Sequence, residues 1–176
     1  MDTKKSTNVI LIGYRGTGKS TIGKILAAKT GRTYVSTDQR IVEKAGMSIP
    51  QIVEKQGWTH FRDVESEVAA EVCGLSNHVI DTGGGIILRE ENVQRLKECG
   101  RLILLTASLE TIVSRIQADP NRPPLKEGMT FLEEQKKVLE ERNPIYRSIA
   151  ELTVDTSKES IDSCVGVIVD CLSRFS

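Results

Sequence analysis

The chain contains the stretch VILIGYRGTGKST at residues 9–21. Its first four residues are apolar and fit a strand buried on both faces, as in a parallel sheet. Residues 13–20 match the pattern G-x-x-x-x-G-K-[ST], in which successive backbone N–H groups converge on phosphate oxygens. A helix that begins near Lys19 points its positive end at the same anion. The stretch therefore predicts a strand, a phosphate-binding loop and a helix.

This loop predicts ATP and Mg²⁺ as cofactors. Lys19 reaches the β- and γ-phosphates, and the hydroxyl of Ser20 ligates Mg²⁺. The candidate nucleotide-binding residues are Gly13, Gly16, Thr17, Gly18, Lys19, Ser20 and Thr21. GTPases, ATPases and small-molecule kinases share the loop, so it does not identify the acceptor of the phosphate.

Four further apolar runs predict the rest of an α/β fold. Residues 79–80 and 102–105 fit buried strands, and residues 33–35 and 152–154 are weaker candidates. Amphipathic segments between them predict a parallel sheet with helices on both sides. Capping boxes are predicted at Ser48 and Thr130. Five glycines follow candidate helices, where a left-handed residue is often needed: Gly31, Gly46, Gly57, Gly74 and Gly100.

Composition limits the classes of function. The length of 176 residues fits one domain, and Lys+Arg and Asp+Glu both number 24. Such a balance argues against a general nucleic-acid or anionic-membrane binder. The first apolar run is shorter than a secretory or membrane-spanning segment, so we expect a cytoplasmic protein. Its four separated cysteines fit reduced thiols, and the absence of heptads favours a monomer.

Residues 119–128 contain three of the five prolines and fit neither the helical nor the strand period. They predict a loop between two helices. The loop is either a simple connector or a mobile lid, spanning about 115–128, that carries Arg122.

The remaining motifs resemble, in order and spacing, those of the shikimate kinase family. They are Ser36-Thr37-Asp38, Phe61-Arg62-Asp63-Val64-Glu65, Thr82-Gly83-Gly84-Gly85, Arg115 with Arg122-Pro123, and Arg142-Asn143-Pro144-Ile145-Tyr146. The resemblance extends from about residue 8 to residue 155. It implies a three-layer P-loop NTPase fold whose five-stranded parallel sheet has the order 2-3-1-4-5.

The resemblance also implies transfer of the γ-phosphate of MgATP to the 3-hydroxyl of shikimate. It implies that Arg122 closes over the γ-phosphate and that Arg115 lies against the adenine. The substrate-binding residues that it implies are Asp38, Arg62, Gly83, Gly84, Gly85 and Arg142.

The chemistry of these residue types agrees with that function. Arg62 and Arg142 supply guanidinium groups for a carboxylate, and Asp38 orients the attacking hydroxyl. The catalytic set is then Lys19, Asp38 and Arg122, because phosphoryl transfer needs positioning and neutralisation of charge. Taken singly, Arg62 would be the partner of a surface i,i+3 pair, Asp38 a helix cap and Arg142 a cation near a helix end.

The sequence departs from the family at one acid. The family usually has Asp-x-Asp after the second strand, where this chain has Ser36. Two residues before the glycine triplet, where the family has a small residue, the chain has Asp81. We hypothesise that Asp81 restores the lost carboxylate of the magnesium site. Alternatively, Asp81 only stabilises the glycine turn.

Two other functions remain open from the sequence. A gluconate-type kinase would share the phosphate loop and the lid, and a non-catalytic nucleotide-binding module would fit the loss of the acid at Ser36.

Overall fold

The computed structural model describes residues 8–117 and 128–174. The strands are β1 (Asn8–Ile12), β2 (Thr33–Ser36), β3 (His78–Asp81), β4 (Gly100–Thr106) and β5 (Leu152–Asp155). The helices are α1 (Lys19–Thr30), α2 (Thr37–Ala45), α3 (Ile49–Cys73), α4 (Glu90–Cys99), α5 (Leu109–Ile116), α6 (Phe131–Ile149) and α7 (Ile161–Ser173). A 3₁₀ turn spans Ile86–Leu88.

The five strands form one parallel sheet in the order β2-β3-β1-β4-β5. The sheet order and the α/β class implied by the family resemblance are confirmed. Strand β1 lies at the centre because its residues are apolar on both faces and need cover on both sides.

Alternate residues of β1 face two separate hydrophobic clusters. Ile10 and Ile12 pack in a cluster that includes residues of α3, α4 and α6. Val9 and Leu11 pack in a second cluster with residues of α1 and α7. The period of two along a strand therefore produces three layers: helices, sheet and helices.

The glycines that follow helices behave in different ways. Gly31 and Gly46 adopt the predicted left-handed conformation, with φ of 63° and 67°. The prediction is wrong for Gly74, whose φ is −76°, and for Gly100, which is extended. Gly74 prolongs a right-handed turn, and Gly100 already belongs to β4, so neither position needs a left-handed residue.

Both predicted capping boxes form. Ser48 and Thr130 each exchange hydrogen bonds with the residue three positions later, at the starts of α3 and α6. Gly57 lies inside α3 with φ of 82° and kinks it. The kink separates the first turns of α3 from the part that carries Arg62.

The strand register aligns polar residues at one edge of the sheet. Leu11 and Ser36 are both the register partners of Asp81, on either side of β3. The phosphate loop leaves β1 at this same edge, because all strands are parallel. The predicted lid lies mostly outside the described residues, and so does Arg122. In the described part of the chain, the helices are too short or too polar to cross a membrane.

Candidate active site

A pocket of about 330 Å³ opens at the carboxyl ends of the central strands. The predicted site residues that line it are Gly16, Gly18, Lys19, Ser20, Thr21, Asp38, Asp81, Gly83, Gly84 and Arg115. Those that are described but do not line it are Gly13, Thr17, Arg62, Gly85 and Arg142. The structure therefore brings the nucleotide residues, the candidate acids and part of the glycine triplet into one pocket.

The phosphate loop packs closely against the neighbouring strand β4. Gly13 has φ of 142°, and a Cβ at this position would collide with the carbonyl oxygen of Leu105. Lys19 is buried, and its Nζ donates hydrogen bonds of 2.9 and 3.0 Å to the carbonyl oxygens of Gly13 and Tyr14. The ammonium group therefore lies along the loop, with its charge next to the pocket.

Arg115 ties the phosphate loop to two other segments. Its guanidinium donates 3.0 Å hydrogen bonds to the carbonyl oxygen of Gly16 and to the hydroxyl of Thr156. A third hydrogen bond, of 2.9 Å, reaches the carbonyl oxygen of Thr156. The Thr156 hydroxyl in turn donates to the carbonyl oxygen of Thr17. Arg115 therefore holds α5 and the segment after β5 against the loop.

Asp81 forms a polar cluster with Ser20. The Ser20 hydroxyl donates a 2.6 Å hydrogen bond to Oδ2 of Asp81, and the Tyr34 hydroxyl donates a 2.7 Å hydrogen bond to the same atom. Burial, followed by the hydrogen bond to Asp81, raises the pKa of Tyr34, so its phenol stays protonated and acts as the donor. Asp81 is 5% exposed and lies beside Ser36 across the β2–β3 pair.

Arg62 lies in a partly buried cluster. Its guanidinium donates a 2.6 Å hydrogen bond to Glu65, whose side chain is 1% exposed. The same guanidinium lies 5.4 Å from the ring centroid of Trp58 and 5.0 Å from that of Phe61. Burial raises the pKa of Glu65, and the charge of Arg62 opposes that shift. The pair does form, but it is not a surface pair.

Arg142 also points into the protein. It is 8% exposed, and its guanidinium lies 5.9 Å from the ring centroid of Tyr14. One turn later on α6, the Tyr146 hydroxyl donates a hydrogen bond to the carbonyl oxygen of Gly84. Burial raises the pKa of Tyr146, and Arg142 opposes the shift. These contacts connect α6 with both the phosphate loop and the glycine triplet.

The glycine triplet is the point where these side chains meet. A Cβ on Gly85 would overlap the guanidinium of Arg62. A Cβ on Gly83 would lie 2.6 Å from Oδ1 of Asp38 and 3.1 Å from Oε1 of Glu65. Only a residue without a side chain leaves room for these charged groups to converge on the backbone.

Ser20 and Asp81 fit the requirements of Mg²⁺. This ion takes oxygen ligands and is usually bound by one or two carboxylates together with substrate phosphates and water. A hydroxyl and a carboxylate 2.6 Å apart beside a phosphate loop meet that description. In the described ranges, no group of three or more His, Cys, Asp or Glu residues forms an alternative metal site.

Several residues that the structure places at the site belong to no predicted site motif. Tyr34 belongs only to a weakly predicted strand, and Trp58 lies outside the motifs that resemble those of the family. Gln135, which accepts hydrogen bonds from Tyr14 and Arg15, carried no motif at all. The partners of Tyr34 and Gln135 lie far away in sequence, so no local pattern marks these two residues, whereas Trp58 lies only four residues before Arg62.

The sheet order and the phosphate loop define the chain as a P-loop nucleotide-binding protein of the small-kinase type. A sequence model described as "SKI: Shikimate kinase" matches residues 15–173. The chain belongs to the shikimate kinase family.

Individual relatives agree with this assignment. The chain is 41% identical over 169 residues to the shikimate kinase of Pelotomaculum thermopropionicum, covering 96% of this chain and 97% of the relative. It superimposes with a TM-score of 0.91 on shikimate kinase from Acinetobacter baumannii in complex with shikimate, at 31% identity, covering 98% of this chain and 96% of the relative. A gluconokinase from Sinorhizobium meliloti, at 15% identity and a TM-score of 0.58, covering 97% of this chain and 94% of the relative, shares only the fold.

The reaction of the chain is therefore transfer of the γ-phosphate of ATP to a hydroxyl group of shikimate, with ATP and Mg²⁺ as cofactors, in aromatic amino-acid biosynthesis. The gluconate-type alternative is not favoured.

Proposed function

We propose that shikimate binds against the glycine triplet and that MgATP binds along the phosphate loop, so that the γ-phosphate meets the 3-hydroxyl in one pocket. The observation that carries this proposal is the convergence of Asp38 and Arg62 on Gly83 and Gly85, at the rim of the pocket that Lys19 lines. The A. baumannii relative, which shares the fold over nearly its whole length, was solved with shikimate.

Arg62 and Arg142 bind the carboxylate of shikimate in this proposal. Both guanidinium groups lie near aromatic rings. The rings limit the conformations of the two side chains and attract their positive charge. Glu65 offsets part of the positive charge of Arg62, and Arg142 brings a second positive charge to the cluster. A planar guanidinium binds a carboxylate in a bidentate manner, which fixes the orientation of the substrate ring.

Asp38 receives the attacking hydroxyl. It lies in the first turn of α2, after the cap residue Ser36, and lines the pocket. Its carboxylate accepts the hydrogen bond of the 3-hydroxyl and takes the proton as the bond to phosphorus forms. The close approach allowed by Gly83 sets the position of Oδ1.

Lys19 and Arg122 neutralise the triphosphate. On nucleotide binding, Lys19 exchanges its contacts with the loop carbonyl oxygens for the β- and γ-phosphates. Arg115 lies at the adenine side, and Arg122, which falls outside the described residues, closes over the γ-phosphate. The positive charge of Mg²⁺ would neutralise the phosphate oxygens. Ser20 and Asp81 would hold this ion.

The magnesium assignment of Asp81 rests on its hydrogen bond with Ser20 and on its register beside Ser36. Asp81→Ala should raise the Mg²⁺ concentration that gives half-maximal turnover by at least about tenfold, because a carboxylate–cation contact is lost. Adding Ser36→Asp to that variant should restore much of the metal affinity from the neighbouring strand. Unchanged metal affinity in the single variant, or no recovery in the double variant, would overturn the assignment.

We further propose that the chain acts as a monomer in the cytoplasm, without nucleic-acid or membrane partners. Its formal net charge of +0 supports the absence of nucleic-acid and anionic-membrane partners, since a general polyanion binder carries a basic excess. Light scattering at micromolar concentration should give the mass of one chain, 19.4 kDa.

The test of the whole proposal is the release of ADP in the presence of different acids. Shikimate should accelerate ADP release by orders of magnitude, and gluconate should not. Arg62→Ala should raise the KM for shikimate by about 10- to 100-fold, as expected for loss of a charged contact, with little change in the KM for ATP. Arg101→Ala is the matched control, because Arg101 pairs with Glu151 away from the pocket. Equal KM values in the two variants would contradict the assignment of Arg62.

A further inference from the structure

The Asp81 carboxylate is held from two sides. Ser20, at the start of α1, and Tyr34, in β2, both donate to Oδ2, at 2.6 and 2.7 Å. In the part of the chain that the structure describes, Oδ1 accepts no hydrogen bond, and Asp81 lines the pocket. Two donors on one oxygen fix the rotation of the carboxylate and leave the other oxygen for a ligand.

The packing of Tyr34 is specific. It lies two positions before Ser36 on β2, so both side chains are on the same side of the strand. Its ring lies against α1 at Gly23, where a Cβ would be 3.0 Å from the Tyr34 ring atom Cε2. The helix therefore makes room for a ring that reaches the end of the neighbouring strand β3.

We propose that Tyr34 is a positioning residue for the magnesium site, which holds Oδ1 of Asp81 towards the pocket. This inference rests on the proposed role of Asp81. A phenol suits this function because it is a neutral donor: it orders the carboxylate without cancelling the negative charge that the cation needs. In this chain the candidate acid is Asp81 on β3, where the family has its acid on β2 at the position of Ser36. Tyr34 of β2 then orients that carboxylate through its hydrogen bond.

The experiment compares Tyr34→Phe with Asp81→Ala and with the combined variant, by calorimetric titration of ADP with and without Mg²⁺. Tyr34→Phe should weaken Mg²⁺ binding to the ADP complex about five- to tenfold and leave ADP affinity in EDTA unchanged. In the Asp81→Ala background, the same change should have no further effect. Thr30→Val is the control and should leave Mg²⁺ binding unchanged, since it removes a hydroxyl bonded to the carbonyl oxygen of Leu26 at the far end of α1.

The outcomes separate the two assignments. If Asp81→Ala weakens Mg²⁺ binding and Tyr34→Phe does not, the role of Tyr34 is wrong and that of Asp81 stands. If neither variant changes Mg²⁺ binding, the metal assignment itself fails. If Tyr34→Phe weakens Mg²⁺ binding as much in the Asp81→Ala background as in the unchanged protein, or lowers ADP affinity in EDTA, the role of Tyr34 is general packing of the strand.

A second, independent feature lies at the opposite edge of the sheet. Cys73 and Cys99 are the last residues of α3 and α4, and their Sγ atoms are 2.6 Å apart although both thiols are free. Cys73 is half-buried and borders a surface cavity of about 450 Å³ that also contains Arg95. The hydrogen bond from Cys99 lowers the pKa of Cys73. Cys73 therefore has a lowered thiol pKa, a surface that a small oxidant can reach and a second thiol beside it, which are the features of an oxidation-sensitive cysteine.

We propose that Cys73 and Cys99 are a modification site that hydrogen peroxide converts to a disulfide. The Cys73 thiolate attacks one peroxide oxygen and forms a sulfenic acid, while the second oxygen leaves as hydroxide and takes up a proton. The Cys99 thiol then attacks the sulfenic sulfur, and a second water leaves. Two thiols lose two electrons, and one peroxide becomes two waters.

Treatment of the folded protein with peroxide should lower the number of titratable thiols from four to two. Peptide mapping without reductant should yield one peptide pair joined through Cys73 and Cys99. The melting temperature should rise, because the bond closes a loop of 26 residues, and dithiothreitol should reverse the change. Cys73→Ser and Cys171→Ser serve as the test and control variants. Joined peptides in Cys73→Ser, or overoxidised Cys73 in place of the disulfide, would overturn the proposal.

Discussion

The side-chain oxygen of Gln135 accepts a 2.6 Å hydrogen bond from the hydroxyl of Tyr14, which lies 121 residues earlier in the chain. The same oxygen accepts two hydrogen bonds from Arg15, at 2.9 and 3.1 Å. Arg15 also pairs with Glu134 at 3.6 Å. The first turns of α6 therefore anchor the two residues at the top of the phosphate loop. This anchor couples the loop to the helix that carries Arg142.

Replacing Gln135 by Met should loosen that anchor. Gln135 is fully buried, so the change leaves the donors of Tyr14 and Arg15 without their acceptor, at a cost of about 2–3 kcal/mol in the free energy of unfolding. The KM for ATP should also rise. Gln94→Met, on the exposed face of α4, is the control and should change neither quantity. Urea unfolding and steady-state kinetics measure both effects, and equal results for the two variants would contradict the anchor.

Gly85→Ala should impair shikimate binding selectively. The new methyl group would overlap the guanidinium of Arg62, so the arginine must move away from its present position. We expect the KM for shikimate to rise at least about tenfold, since a charged contact is worth a factor of this order, with a smaller change for ATP. The same substitution at Gly166, inside α7 with open space around it, should be neutral or slightly stabilising. An unchanged KM in Gly85→Ala would show that Arg62 does not depend on this glycine.

Asn8→Ala should destabilise the fold. Asn8 is buried, and its side chain donates to the carbonyl oxygens of Leu75 and Cys99 and accepts from the N–H of His78. Three backbone groups lose their partner together, which predicts a loss of about 2–4 kcal/mol in the free energy of unfolding. Urea unfolding monitored by far-ultraviolet circular dichroism measures it. A loss below about 0.5 kcal/mol, typical of surface sites, would contradict this role.

Glu65 should give the stability a distinct dependence on pH. Burial raises the pKa of Glu65 in the folded state above its ordinary value of 4.5. Between these two values the folded state binds more protons than the unfolded state, so the contribution of Glu65 to the free energy of unfolding falls as the pH rises. Glu65→Gln should remove this slope, measured by urea unfolding at several pH values above about 4.5. Parallel curves for the two proteins would contradict the shift.

Arg122→Ala should lower turnover by orders of magnitude and weaken ATP binding much less. This expectation comes from the sequence alone, because the residue lies outside the described ranges. A cation that acts mainly on the transferring phosphate affects the rate more than it affects binding. Turnover, measured by coupled assay, and ATP affinity, measured by calorimetry without shikimate, separate the two effects. Near-normal turnover would assign Arg122 to a simple connector.

The fold was largely predictable from the sequence because its signals are local. The apolar run of β1, the glycine pattern of the phosphate loop and the capping boxes at Ser48 and Thr130 each act within a few residues. The sheet order followed from the family resemblance, which depends on the order of motifs along the chain. The prediction of a left-handed residue at Gly74 and Gly100 was wrong because the chain after a helix can also continue in a right-handed turn or enter a strand directly.

The sequence by itself determined the class of loop, the cofactors that such a loop binds and the residues that offer charge to an acidic substrate. Only the tertiary structure decided which groups meet: Asp81 with Ser20 and Tyr34, Gln135 with Tyr14, and Cys73 with Cys99. The physical reason is that helix and turn signals act between near neighbours, whereas these contacts depend on strand register and helix packing. Both bring together residues that are tens of positions apart in the chain.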